Sequence, residues 1–230
     1  MKTIVVTGAS KGIGFETALK LVELDNKVIA VARSKDKLNE LKLSANSDNL
    51  ITLTADITQE SGRDSIKNTV AKFNTIDCLI NNAGMVLNKS FMDTTTQEWD
   101  LVFGVNLFAP IQLIKTLKPY FSSKSHIVNI SSMGGFQGSD KFPGLTAYST
   151  AKGALAILSE SLSVEFSADE ISVNCLSLGA VQTEMLAEAF PGFNAPVQPK
   201  EMGSFIANFA LNGHQFMNGK ILPVALNNPE

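Results

Sequence analysis

The chain is poor in the side chains that most often carry metal or disulfide chemistry: its 230 residues hold two cysteines and two histidines. Cys78 and Cys175 fall in short apolar runs and read as small core residues, not as a disulfide framework. His126 and His214 stand in a strand and near a helix end and read as structural. No Cys/His/carboxylate cluster has metal-ligand spacing, so no metal is expected. Positive charge is also scarce. Nineteen Lys and Arg against twenty-two Asp and Glu leave a net charge of −3. No basic cluster exceeds two or three residues, which argues against nucleic acid or an anionic membrane as partner. Long hydrophobic runs are missing too. The longest uncharged stretch, Leu101 to Ile114, falls short of the roughly 20 residues of a membrane span. The apolar run after Lys2 ends at Thr7, too short for a secretory signal. These absences predict a soluble, cytoplasmic protein. There is no internal repeat, low-complexity segment or convincing linker, so 1–230 reads as one domain with a continuous core.

What the sequence does contain is an alternation of short β-branched runs and longer amphipathic ones. Strands are expected at Lys2 to Thr7, Lys27 to Ala32, Leu50 to Thr54, Asp77 to Ile80, His126 to Ile130, Ile171 to Leu176 and Lys220 to Ala225. Helices are expected from the glycine turn to Leu24, then over Asp36 to Leu43, Gln59 to Phe73, Thr96 to Leu117 and Ala147 to Phe166. Short buried strands alternating with helices imply an α/β protein with a parallel sheet of about seven strands and helices on both faces. Right-handed crossovers make it doubly wound, with a ligand crevice at the carboxyl ends of the strands. A substrate-side loop and helix region is expected around 183–202. Within it, Pro191 to Pro199 is the least regular stretch, either a mobile lid or a surface loop.

The first strand breaks into Thr7-Gly-Ala-Ser-Lys-Gly-Ile-Gly14 and then a helix, the context in which a glycine-rich turn holds a nucleotide diphosphate. Gly8 allows the tight turn, Gly12 lets backbone approach a pyrophosphate, and Gly14 lets the helix pack closely on the strand. The helix N-terminus offers unpaired N–H groups and a positive dipole end to the phosphates. Far downstream, Tyr148 and Lys152 stand four residues apart, a spacing that puts both on one helix face. A free phenol has a pKa of roughly 10, and a fixed cation beside it favours the phenolate and brings that value toward neutrality. Taken alone, Tyr-x-x-x-Lys is a common spacing. It gains meaning from the glycine turn at the other end of the chain.

Together these motifs resemble the short-chain dehydrogenase/reductase family over nearly the full length, Lys2 to about Ala225, and the resemblance implies a Rossmann-type fold. Asn81-Asn-Ala-Gly84 is similar to the family's segment that passes the cofactor's adenosine side, and Asp56 to the acidic residue that contacts adenine. Asn106 matches a helix asparagine that supports a water-linked proton path to the lysine. Ser132 matches the family's catalytic serine. Asn174-Cys-Leu-Ser-Leu-Gly179, followed by Thr183, is similar to the segment around the nicotinamide carboxamide. The implied catalytic set is Asn106, Ser132, Tyr148 and Lys152. The implied cofactor site is Gly8, Ser10, Lys11, Gly12, Ile13, Gly14, Arg33, Asp56, Ile57, Asn82, Ala83, Gly84, Val181 and Thr183, with Tyr148 and Lys152.

In that reading Ser132 holds a substrate carbonyl by hydrogen bond, Tyr148 delivers the proton, and Lys152 lowers the phenol's pKa and bonds the nicotinamide ribose. The end of strand two carries Ala32 and Arg33 where an NAD site wants an acidic side chain, and Lys11 lies in the turn on the same side. Two cations without a carboxylate suit a 2′-phosphate, so NADP(H) is expected over NAD(H). Two departures from the family stand out. Leu178 replaces the usual proline, which predicts a less rigid loop toward Thr183. The segment between Ser132 and Tyr148 is longer than the common form, and its extra residues around Gly138 to Pro143 reach toward a substrate mouth. Met133, Phe136, Phe142, Met185, Phe190 and Phe193 are candidates for an apolar lining. The function expected is NADPH-dependent reduction of a small or medium, partly apolar ketone. The alternatives are a 3-oxoacyl-thioester reductase and a non-catalytic dinucleotide-binding regulator. Phe103, Leu107, Phe108 and Leu113, with Ala151, Ala154, Leu155, Ile157, Leu158 and Leu162, spread apolar surface over more than one helix face. That predicts a homodimer or homotetramer.

Overall fold

The structure, a computed structural model, describes residues 1–226, so the last four residues of the expected domain 1–230 lie outside the described residues. Among the described residues, seven strands form one sheet: β1 (Thr3–Thr7), β2 (Lys27–Ala32), β3 (Leu50–Thr54), β4 (Ile76–Asn81), β5 (Phe121–Ser132), β6 (Ser172–Leu178) and β7 (Ile221–Val224). Their order is β3-β2-β1-β4-β5-β6-β7, and every pairing is parallel. The chain winds outward from β1 in one direction and, after β3, returns to wind the other way from β4. That reversal opens a crevice at the carboxyl ends of β1 and β4.

The first strand shows why both faces are covered. Ile4, Val5 and Val6 are fully buried. Ile4 and Val6 pack with α1 (Gly12–Glu23), α2 (Lys35–Ala45) and α8 (Pro199–Asn212), whereas Val5 packs with α3 (Glu60–Val70) and α5 (Ala109–Leu117). Successive side chains of a strand point to opposite faces, so a strand sandwiched between two helical layers must be apolar throughout. Each such side chain contributes about 1.5–3 kcal/mol of burial. Cys78 and Cys175 lie buried within β4 and β6 as free thiols, as their apolar surroundings in the sequence imply.

The remaining helices are α4 (Thr96–Phe103), α6 (Thr146–Glu165) and α7 (Glu184–Ala189). A capping box starts α4: Glu98 N–H donates to Thr95 Oγ1 at 3.3 Å, and Thr95 N–H donates to Glu98 Oε2 at 2.8 Å. The expected unbroken helix from Thr96 to Leu117 is divided by a π-helical segment, Gly104–Phe108. The whole helical stretch Thr96–Tyr120 is long and apolar enough, by length and composition, to cross a membrane, although its longest uncharged run is not. One side of it is core, with Val102, Leu113, Ile114 and Leu117 buried against α3, α6 and the sheet.

The wide apolar surface expected on the α4–α5 and α6 helices is narrower than the sequence implied. Leu113, Ala151 and Leu155 are buried in the chain's own core, while Leu101, Phe108, Ile157 and Val164 remain 54%, 53%, 60% and 75% exposed. Leu178, expected to loosen the loop after β6, instead extends the sheet. It stays in register with Ser132 and Val224, and Gly179 N–H donates to Val224 O at 2.9 Å. A proline there has no N–H to offer a ladder. The stretch 191–199 is also tied down: Gln182 N–H donates to Val197 O, and Ala195 N–H to Gln182 Oε1 at 2.7 Å.

Candidate active site

Each element that ends at the crevice delivers one group. The β1–α1 turn is stitched to the end of β4 through Thr7. Its hydroxyl accepts from Asn82 N–H and Ala83 N–H, both at 3.1 Å, and donates to Ile80 O. Gly8 sits at φ +67°, and a Cβ there would come within 2.8 Å of the Ala83 backbone. Gly14 has no room for a side chain either, because a Cβ would overlap Gly8 O and the Asn82 amide. Both glycines therefore let the turn close against the neighbouring strand end, as a phosphate-cradling turn requires. After β3, Asp56 accepts from the Thr58 hydroxyl at 2.7 Å and its N–H at 2.9 Å. Partial burial acts to raise its pKa, but those two bonds and the Arg33 charge bring it below the ordinary value.

Ser132 ends β5, and Tyr148 and Lys152 project from the first turns of α6. Ser132 Oγ accepts from Gly134 N–H at 3.2 Å, so it caps the following turn, and its hydroxyl also faces the Tyr148 phenol. Lys152 is buried, with Nζ donating to Ile130 O at 2.7 Å and lying 5.8 Å from the Tyr148 ring centre. Burial pushes its pKa down to about 8. The expected lowering of the Tyr148 phenol is not met by the protein's own groups. Withdrawal from water raises the phenol, and the Ser132 hydroxyl offsets this only in part. The physical reason is that burial disfavours both charged forms, phenolate and ammonium, while Ile130 O holds the cation.

All of the cofactor-site residues named above line one cleft of about 730 Å³, together with Ser132, Tyr148 and Lys152. Asn106 does not line it. Oδ1 of Asn106 accepts from Met85 N–H at 3.2 Å, and Nδ2 donates to Met85 O and Val102 O, both at 2.9 Å. Its amide is thus occupied by backbone, although a Cβ on Gly84 would meet both Asn106 Oδ1 and Lys152 Nζ, which places Asn106 beside the lysine. Met133, Phe142, Met185, Phe190 and Phe193 line the cleft as expected. Phe136 faces a smaller neighbouring hollow instead. Val86, Val105, Leu145, Leu186 and Val197 join the lining unforeseen, because nothing in their local sequence marks them as cleft residues and not core.

The expectation of two cations without a carboxylate needs correction. Lys11 Nζ lies 2.8 Å from Glu184 Oε2 and 3.9 Å from Glu188 Oε1, and Lys37 Nζ lies 3.1 Å from Glu184 Oε2. Lys11 and Lys37 hold the Glu184 carboxyl below its ordinary pKa. Neither Lys37 nor Glu184 is a candidate on sequence grounds, since the Lys11–Glu184 contact spans 173 positions. Among the described residues, no group of three or more His, Cys, Asp or Glu could hold a metal.

A family model described as short chain dehydrogenase matches residues 2–192. The chain belongs to the short-chain dehydrogenase family. Among similar proteins, an uncharacterized oxidoreductase of Staphylococcus epidermidis is 31% identical over 187 residues, 80% of each chain. One of Staphylococcus aureus is 30% identical over 220 residues, 94% of each. A short-chain dehydrogenase/reductase of unknown function from Caenorhabditis elegans, solved with cofactor, aligns at TM-score 0.87 with 26% identity, covering 97% of this chain and 93% of that one. A 3-ketoacyl-(acyl-carrier-protein) reductase from Brucella melitensis complexed with NADH shares the fold, at TM-score 0.88 and 24% identity, covering 97% and 96%. This short-chain dehydrogenase thus belongs to a family of oxidoreductases, and it shares its fold with proteins solved with a bound cofactor.

Proposed function

We propose that this short-chain dehydrogenase transfers a hydride between NADP(H) and a small or medium, partly apolar carbonyl compound or its secondary alcohol. The observation that carries the reading is the convergence of Ser132, Tyr148 and Lys152 on the same cleft wall that meets the glycine turn. The residues present fit a dinucleotide: a turn with no room for a side chain at Gly8 or Gly14, a cleft within the 300–1,000 Å³ of ordinary ligand sites, and cations at its adenosine end. The bound nicotinamide supplies the hydride chemistry.

The chain supplies the rest. Ser132 donates a hydrogen bond to the carbonyl oxygen and steadies the charge that develops on it. Tyr148 delivers the proton to that oxygen. Its raised pKa keeps the phenol protonated at neutral pH, the state that reduction needs. In the reverse direction Tyr148, as phenolate, takes the proton of the alcohol; the Lys152 ammonium, 5.8 Å from the Tyr148 ring centre, favours that phenolate and would bond the ribose. Asn106 positions the backbone at Met85 and stands beside Lys152. Arg33 and Lys11 favour a 2′-phosphate, which selects NADP(H) over NAD(H). Met133, Phe142, Phe190 and Phe193 offer an apolar surface to the substrate's body.

We also assign the exposed Leu101, Phe108, Ile157 and Val164 to a contact between copies of the chain, making a homodimer or homotetramer. A turnover screen tests the catalytic reading. NADPH and NADH absorbance is followed with aliphatic, aromatic and cyclic ketones and a 3-oxoacyl thioester. Faster turnover with NADPH on an uncharged ketone is expected. Turnover confined to the thioester moves the substrate assignment, and no NAD(P)H oxidation across these classes overturns the catalytic reading.

A further inference from the structure

The turn that cradles the dinucleotide is held by an acid from the other side of the cleft. Glu184 is the first residue of α7, directly after Thr183, whose Oγ1 accepts from Leu186 N–H at 3.2 Å and caps that helix. Glu184 Oε2 is shared by two ammoniums, Lys11 at 2.8 Å and Lys37 at 3.1 Å, and Oε1 accepts from Lys37 at 3.3 Å. Lys11 belongs to the glycine turn. Lys37 lies in the first turn of α2, four residues beyond Arg33, and its N–H caps onto Ser34 Oγ. Three cations therefore flank the end of β2, and one carboxylate from the substrate side already occupies two of them. Lys11, Arg33 and Glu184 all line the cleft.

We propose that Glu184 is a cofactor-specificity residue: its carboxylate holds Lys11 and Lys37 as an internal anion, competes with the 2′-phosphate for them, and so limits the preference for NADP(H). The proposal rests on the reading of this cleft as a dinucleotide site. A phosphate monoester carries about −1.5 to −2 charges at pH 7 and takes the same ammonium donors by charge-assisted bonds. Glu184 is 54% exposed and the two lysine side chains 38% and 39%, so each pair is screened by solvent and readily exchanged. Two anions cannot share Lys11 and Lys37 without repelling one another. A 2′-phosphate arriving there displaces Glu184, and with it the start of α7, whose Met185, Leu186 and Ala189 line the same cleft. An unphosphorylated ribose leaves the pairs intact. Glu184 thus penalises one cofactor and not the other, opposing Arg33.

The test is a titration of NADPH, NADH and adenosine 2′,5′-bisphosphate on wild type, E184Q, a K11Q/K37Q double variant and the triple variant, at low and high salt. Because Glu184 is more than half exposed, E184Q keeps the fold. Expected is a threefold to tenfold tightening of NADPH and the bisphosphate in E184Q, roughly the strength of one or two exposed pairs. NADH stays unchanged, and the gain vanishes at high salt and on the K11Q/K37Q background. Equal tightening of NADH overturns the proposal, as does unchanged or weakened NADPH binding in E184Q. The NADP(H) assignment is read separately, from the wild-type ratio of the two cofactors. Wild type preferring NADH, with E184Q still tightening NADPH alone, removes that assignment and keeps the role of Glu184. Failure of wild type to bind either dinucleotide removes both.

Discussion

The two ends of the parallel sheet treat buried polar side chains in opposite ways. In the amino-terminal halves of β5 and β6, His126 is closed in by protein. Its Nδ1 faces Ala210 O at 3.1 Å and must donate, which leaves Nε2 to accept from Asn174 Nδ2 at 2.9 Å. Asn174 goes on to bond Met217 O at 2.9 Å and Lys220 N–H at 3.0 Å. At the carboxyl ends, Ser132 and Tyr148 line a cleft, and Lys152 is fixed by a single carbonyl beneath it. Burial moves the pKa of groups at both ends, taking His126 down to about 3 and Lys152 down to about 8. A perturbed pKa by itself does not separate scaffold from site. The separating feature is whether the partners of the polar atoms lie within the chain or across a ligand-sized space.

Substitutions at the two ends should therefore fail in different assays. The largest effect is expected at Tyr148. Tyr148→Phe should lower kcat by at least about a hundredfold, with dinucleotide affinity and melting temperature nearly unchanged. Near-normal kcat would show that the open end is not the working one. Lys152→Ala should reduce both turnover and NADPH affinity. Next in size is cofactor choice. Arg33→Asp should weaken NADPH by more than about tenfold and NADH much less, a loss of one charge-assisted contact plus new repulsion. Equal weakening in a binding titration makes Arg33 structural.

The closed end should respond to pH and not to substrate. His126 takes up a proton near 6.5 when unfolded but only near 3 when folded. Between those values the unfolded state binds the extra proton, so the contribution of this group is complete above about pH 6.5 and is lost as the pH falls toward 3. The slope approaches about 1.4 kcal/mol per pH unit for one such group. Denaturant titrations from pH 7 to 4 should show His126→Gln with a shallower loss than wild type and an unaltered kcat at pH 7. Parallel losses would mean that the histidine is not the acid-labile element. The smallest change is in mass. Light scattering at micromolar concentration should give a multiple of 24.7 kDa, and Ile157→Asp should lower it without altering dinucleotide binding. A wild-type monomer would refute the assembly.

The alternation of strands and helices was legible because β-branched runs such as Ile4 to Val6 are buried on both faces and leave an uninterrupted apolar signature. The residues lining the cleft were legible wherever they sit at a strand's carboxyl end or on the first turns of α6, since topology brings those points together. Glu184 and Lys37 were invisible for the converse reason. A surface ion pair between segments far apart in sequence leaves no periodicity and no spacing rule. At Leu178 the resemblance has a proline, whereas here the residue adds one more rung to the sheet. Phe136 misled because a loop residue's direction is set by turn geometry, here the 3₁₀ turn Met133–Gly135 just before it.

The π-helical segment Gly104–Phe108 carries a different kind of consequence. Ala109 N–H reaches back five residues to Gly104 O, so the segment holds one residue more than an α-helix of the same rise, as if an insertion had been absorbed without breaking the rod. Such a place is where the chain can give a residue back. Deleting Gly104, around whose missing Cβ nothing lies within 4 Å, would let α4 run straight into α5. It would also turn Asn106 through about 100°, one residue's worth of helical rotation, and carry its amide away from Met85, Gly84 and Lys152. The helix could survive such an edit while the bonds of Asn106 to Met85 could not. In this stretch, fold and site are written by different residues.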